Sequence, residues 1–116
     1  MKFKLIMALV DDGQTDAVLT SAREHGATGS TVITSARGEG LKPAKTFLGL
    51  DLEGHRDIVL LLVEEHLGRT ILEAIAEDCH FDDTPGTGIA FLIDIEDAVG
   101  LSTQIGTIQS EIEDEI

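Results

Sequence analysis

Three strand-length runs in this chain are apolar at nearly every position, and they limit its fold more than any other feature: residues 3–10, interrupted by Lys4, residues 58–63, and residues 89–95, interrupted by Asp94. The middle run, Ile58-Val59-Leu60-Leu61-Leu62-Val63, has no polar member. All three have strand length, and in a strand successive side chains point to opposite faces, so each run asks for burial on both.

The residues between the runs predict two helices. One spans 15–25, with a hydroxyl and acidic start at Thr15 and Asp16, one apolar face (Val18, Leu19, Ala22) and Gly26 as a left-handed stop. The other spans 69–79, with Ile71, Leu72, Ile75 and Cys79 on one side and Glu73, Glu77 and Asp78 elsewhere. A further strand is expected over 29–36, through the β-branched run Ser30-Thr31-Val32-Ile33-Thr34, and Arg37-Gly38-Glu39-Gly40 breaks it. Residues 41–56, with Pro43, Gly49 and Gly54, show no clean period and read as a long loop or a loosely formed hairpin. Glu64, Glu65 and His66 close the third strand, and a loop with Pro85, Gly86 and Gly88 precedes the fourth. In the tail, 98–116, Ile105, Ile108, Ile112 and Ile116 recur at steps of three and four among acidic residues.

The order strand, helix, strand, strand, helix, strand is the βαββαβ pattern of ferredoxin-like α+β domains: a four-stranded antiparallel sheet with both helices on one face. Two helices cover one face only. The apolar residues aimed at the other face therefore predict an oligomer whose sheets face inward, since each buried Leu or Ile is worth about 1.5–3 kcal/mol.

Length and charge narrow the function. At 116 residues the chain reads as a single domain over 1–116. Its 22 Asp and Glu against 8 Lys and Arg give a net charge of −14, which repels phosphate backbones and anionic lipid, so neither nucleic acid nor a membrane is an expected partner. The single cysteine, Cys79, suits a reducing compartment, and the start, MKFKLIMALVDDG, reads as a strand rather than a signal peptide. A cytoplasmic location is expected. The chain has no Walker A sequence, nucleophile elbow, HExxH or dinucleotide fingerprint, and no enzymatic activity is expected.

Gly86 and Gly88 could bring backbone N–H groups close to an anion, as could Gly38 and Gly40; the same glycines also suit turns of unusual dihedrals. Positive charge is scarce, with Arg37, Lys42, Lys45 and Arg56 around the long loop and Arg69 and Arg23 on the helices. A metal reading would use Cys79 and His80, with Asp82, Asp83 and His66 nearby, but no second Cys or paired His spacing exists and Cys79 falls on the apolar side of its helix. No metal site is expected.

With these residues in view, the chain resembles the PII signal-transduction family (nitrogen regulatory protein P-II) over residues 3–97. The likeness is carried by Gly29-Ser30-Thr31-Val32, by Ala36-Arg37-Gly38-Glu39-Gly40 and the long loop after it, by Thr70-Ile71-Leu72-Glu73-Ala74-Ile75, and by Gly86-Thr87-Gly88-Ile89-Ala90-Phe91. The resemblance implies a homotrimer that binds a small effector, an adenine nucleotide such as ATP, ADP or AMP, in clefts between subunits. It places Thr31, Arg37, Gly38, Gly40, Gly86, Thr87 and Gly88 on the effector side. It makes 41–56 the mobile T-loop that docks on a transporter or metabolic enzyme, with Lys42, Lys45, Phe47 and Arg56 as the partner-binding residues. Any membrane contact would then be peripheral, through a membrane-protein partner. The sequence departs from the family at the glycine loop, where the pattern Gly-Asp-Gly-Lys-Ile-Phe has Ile89 in place of its lysine; the arginines expected after the last strand and the tyrosine of the T-loop are also missing. The alternatives are a CutA-like trimeric metal-binding protein and a ligand-free interaction scaffold.

Overall fold

A computed structural model describes residues 2–36, 46–47, 50–51 and 56–101. Its strands are β1 (Phe3–Asp11), β2 (Thr31–Ala36), β3 (Thr46–Phe47), β4 (Leu50–Asp51), β5 (Arg56–Glu64) and β6 (Gly88–Asp94); its helices are α1 (Thr15–Glu24) and α2 (Glu65–Asp78). The main sheet runs β2-β5-β1-β6 and every pairing in it is antiparallel, the ferredoxin-like arrangement. Strands β3 and β4 form a separate two-stranded pair, so part of the segment expected as a loop or loose hairpin is a hairpin.

The strand period separates the two faces. Ile6, Ala8 and Val10 of β1 and Val59, Leu61 and Val63 of β5 point to the helices, where Val18 and Ala22 of α1, Ile71 and Ile75 of α2 and Cys79 at its C-cap close over them. All of these are at most 2% exposed. The intervening residues point the other way and fall into register as rows: Leu62, Leu5 and Ile93; Thr31, Leu60, Met7 and Phe91; Ile33, Ile58, Leu9 and Ile89. No described element covers these rows. Ile33 is 47% and Phe91 36% exposed, with the leucines between them half-buried by their neighbours in the sheet.

Two elements depart from the expected bounds. Helix α2 begins at Glu65, a full turn before the expected residue 69, because Glu64 acts as its N-cap: the carboxylate accepts from the His66 amide at 2.8 Å. Gly68 lies inside this first turn, and a Cβ there would meet Leu92 Cδ1 at 3.0 Å, so the glycine permits close packing of α2 on β6. Strand β5 begins at Arg56, two residues before the apolar run, because Arg56 and Asp57 both find partners at the sheet end. Gly26, with φ 109°, stops α1 in the left-handed conformation expected of it.

Candidate functional site

Antiparallel order decides what meets at each end of this sheet. β1 ends where β5 and β6 begin, and Ala36 at the end of β2 stands opposite Arg56. The loop between α2 and β6 and the long segment between β2 and β5 therefore emerge side by side.

The loop is tied mainly to itself. The Thr84 amide donates to the His80 carbonyl at 3.0 Å, and the Thr87 hydroxyl lies 2.9 Å from the Thr84 carbonyl and 3.1 Å from that of His80. The Thr87 carbonyl accepts from the Asp11 amide at 3.4 Å, which fastens the loop to the end of β1. Its two glycines serve different needs. Gly86 has φ 82°, a conformation that costs any side chain. Gly88 has no such requirement, but a Cβ on it would stand 2.7 Å from Phe81 Cε1, so its smallness lets the Phe81 ring lie on the strand.

Arg56 links the two emerging segments. Its Nη1 donates to the Gly86 carbonyl at 3.5 Å and stands 3.8 Å from Asp11 Oδ1, with its side chain only 10% exposed. Arg56, expected as a partner-binding residue of the long loop, is the first residue of β5 and is buried at the sheet end. Beside it the buried Asp57 carboxylate accepts from the Thr15 hydroxyl at 2.6 Å, which anchors the start of α1 to the same corner. Periodicity gave no sign of Asp11, Thr15 or Asp57 as parts of this corner, although charged residues abutting an unbroken apolar run mark the strand ends where such contacts form.

The other residues singled out are distributed as follows. Thr31 opens β2, exposed, opposite Leu60 on the uncovered face. Phe47 lies in β3, paired with Leu50. Arg37, Gly38, Gly40, Lys42 and Lys45 lie outside the described residues. Cys79 is a core residue, 1% exposed, and burial chiefly, then the Asp78 charge, pushes its thiol pKa up. A buried protonated thiol is a poor ligand, and the adjacent His80 is exposed, its Nδ1 3.7 Å from Asp83, so the structure does not assemble a site from Cys79 and His80. Among the described residues, Glu64, Glu65 and His66 are the group whose ligand atoms converge, within 4.8 Å of one another, but Glu64 is already engaged by the His66 amide and ring at 2.8 and 2.6 Å.

Two recesses among the described residues bear on a ligand. One of about 260 Å³ runs beside the loop, lined by Arg69, Leu72, Glu73, Phe81, Asp82 and Ile89 among others, and its one cation pairs with Glu73 at 3.8 Å. It falls below the ~300–1,000 Å³ of typical ligand pockets. A larger hollow of about 580 Å³ lies at the opposite end of the sheet, where Glu65, Asp94, Glu96 and Asp97 outnumber Lys2 and Lys4, and Asp94 already pairs with Lys4 at 3.2 Å. Its acidic lining opposes an anion.

The sequence profile described as nitrogen regulatory protein P-II matches residues 3–104. The chain belongs to the P-II family. The P-II fold recurs in solved structures to which the chain is similar. One is a putative PII-like signaling protein from Thermus thermophilus, at 22% identity and TM-score 0.59, covering 82% of this chain and 91% of that one. Another is CPII from Thiomonas intermedia bound to ADP, AMP and acetate, at 18% identity and TM-score 0.62, covering 82% and 90%. The same protein bound to ADP and bicarbonate matches at 19% identity and TM-score 0.61, covering 82% and 87%. At these identities the structural likeness concerns the fold. No curated protein sequence matches the chain. No helix among the described residues is long and apolar enough to cross a membrane.

Proposed function

We propose that this P-II family member is a cytoplasmic, non-enzymatic regulator that binds a small effector in the clefts of a homotrimer and controls a transporter or metabolic enzyme through residues 41–56. The observation that carries this reading is the meeting, at one end of the sheet, of the glycine loop with the root of the long segment, joined by Arg56 across Gly86 and Asp11. An effector held at the loop would act on the residues from which the segment departs, and a ligand that binds one arrangement of that root better than another shifts its population.

The uncovered rows of the sheet supply the need for partner copies, since nine apolar side chains from β1, β5 and β6 share that face. Copies packed there would place the glycine loop of one chain beside Thr31 and the segment root of another, giving a cleft larger than either recess of the single chain. An adenine nucleotide is the effector class to expect: three CPII structures hold ADP, two of them with AMP and two with bicarbonate. The short supply of cations argues for few phosphates, so AMP or ADP ahead of ATP. Cys79 in the core weighs against the CutA-like alternative.

Calorimetric titration with ATP, ADP, AMP, cyclic nucleotides and bicarbonate, beside a zinc and copper series, tests the reading. Saturable heat with an adenine nucleotide at one site per chain is the expected result. Silence with every nucleotide and bicarbonate would overturn it.

A further inference from the structure

We infer that assembly of this chain is linked to ionic strength with a fixed sign: added salt drives the copies together. The face that would join them is apolar, and the charge that holds them apart lies elsewhere on each chain. The inference rests on the oligomer proposed above and names the solution variable that governs it.

Charge on the chain is far out of balance. With 22 Asp and Glu against 8 Lys and Arg, each copy carries −14, and three copies together carry −42. Some of the few cations are already engaged within the chain: Lys4 stands 3.2 Å from Asp94 and Arg69 3.8 Å from Glu73. The rows of the open face, from Thr31 and Ile33 across to Phe91 and Ile89, contain no charged residue. Exposed carboxylates sit outside those rows, at Asp12 and Asp16 around the start of α1, Glu24 at its end, Glu77 in the last turn of α2, and Glu96 and Asp97 after β6.

Joining copies therefore sets two terms against each other that respond differently to salt. Burial of the apolar rows does not weaken as salt is added, and salts excluded from protein surface strengthen it. Repulsion among like charges is long-ranged at low salt and short-ranged at high salt, with a screening length of about 30 Å at ~0.01 M, about 10 Å at ~0.1 M and about 3 Å at ~1 M. A domain of this length has a radius of gyration of about 13 Å, so at ~0.01 M the field of one copy spans its neighbour and at ~1 M it does not. An interface held by ion pairs between copies would behave in the reverse way, weakening as salt rises. Since the proposed clefts exist only between copies, their formation follows the same salt dependence.

Sedimentation equilibrium of the full chain over a dilution series in ~0.01, ~0.1 and ~1 M KCl, with circular dichroism on the same samples, tests the linkage. The association constant is expected to rise at least about tenfold from the lowest salt to the highest while the helical signal stays constant. NaCl at equal ionic strength should act alike, since screening ignores ion identity; a rise seen in KCl alone would point to a bound cation and overturn the inference. A triple variant, Glu24→Gln, Glu77→Gln and Glu96→Gln, removes three charges per copy outside the open rows. It should associate at least about threefold more tightly than wild type at ~0.01 M, with the difference gone at ~1 M. If the wild type stays monomeric at every salt, the proposed assembly fails and this inference with it. If it assembles with a constant that is unchanged or falls as salt rises, this inference alone is overturned. Should the wild type lose its helical signal at the lowest salt, the triple variant at ~0.1 M decides: tighter association than wild type supports the linkage, and equal or weaker association overturns it.

Discussion

The two faces of the main sheet are built from the same strands and nearly the same residue types, yet they stand differently toward water. On the helix side Ile6, Val10, Val59 and Leu61 are at most 1% exposed, sealed by α1 and α2. On the other side Met7, Leu60 and their row neighbours are only half-buried, and Phe91 is 36% exposed. A monomer rarely leaves so continuous an apolar surface uncovered. One face makes the fold, and the other is the face on which the proposed trimer would assemble, though both read alike as strand sequence.

Adjacent leucines of β5 break this comparison most sharply. Leu61→Glu places a charge in the sealed core and should abolish folding, seen as loss of the helical circular dichroism. Leu60→Glu, one residue away on the open face, should leave the helical signal intact and reduce the solution mass to that of one chain. Identical outcomes for the two would remove the distinction between the faces. A milder probe is Ile75→Ala, which empties a fully buried site against the sheet and should cost about 2–5 kcal/mol by denaturant unfolding. Smaller again is Gly88→Ala. Its methyl group would meet Phe81 and Val10, at 2.7 and 3.0 Å, and should cost about 1–3 kcal/mol as overpacking; a neutral result would show that the Phe81 ring yields freely.

The smallest effect lies at the helix N-terminus. Hydrogen bonding to Glu64, then its charge, raises the His66 pKa above its ordinary 6.5. A raised folded-state pKa contributes stability that is complete below 6.5 and is lost as pH rises through the folded value. Denaturation midpoints of wild type and His66→Gln should therefore differ more near pH ~6 than near pH ~9. A difference independent of pH would mean that the ring acts through packing alone. His66 is solvent-exposed, so the effect is expected to be modest.

The sequence made the element order and the apolar strand runs legible because burial imposes a period that is visible along the chain. Gly26 as a helix stop was legible for the same local reason. What escaped was set by contacts between distant residues. Arg56 and Asp57 look like loop residues until Asp11, Gly86 and Thr15 are brought beside them, and Glu64 looks like the end of a strand until its carboxylate caps α2. Gly88 drew attention as a ligand-cradling glycine, yet much of its constraint comes from Phe81. The candidate site was therefore legible as a loop, and the Arg56 link to it was not, because pairing across the end of a sheet leaves no period in the sequence.

In the proposed assembly, copies of this chain close the open face and thereby form the effector clefts. Sedimentation equilibrium at micromolar concentration tests it most directly: the mass should be three times the 12.4 kDa of one chain. A mass of 12.4 kDa under those conditions would contradict it.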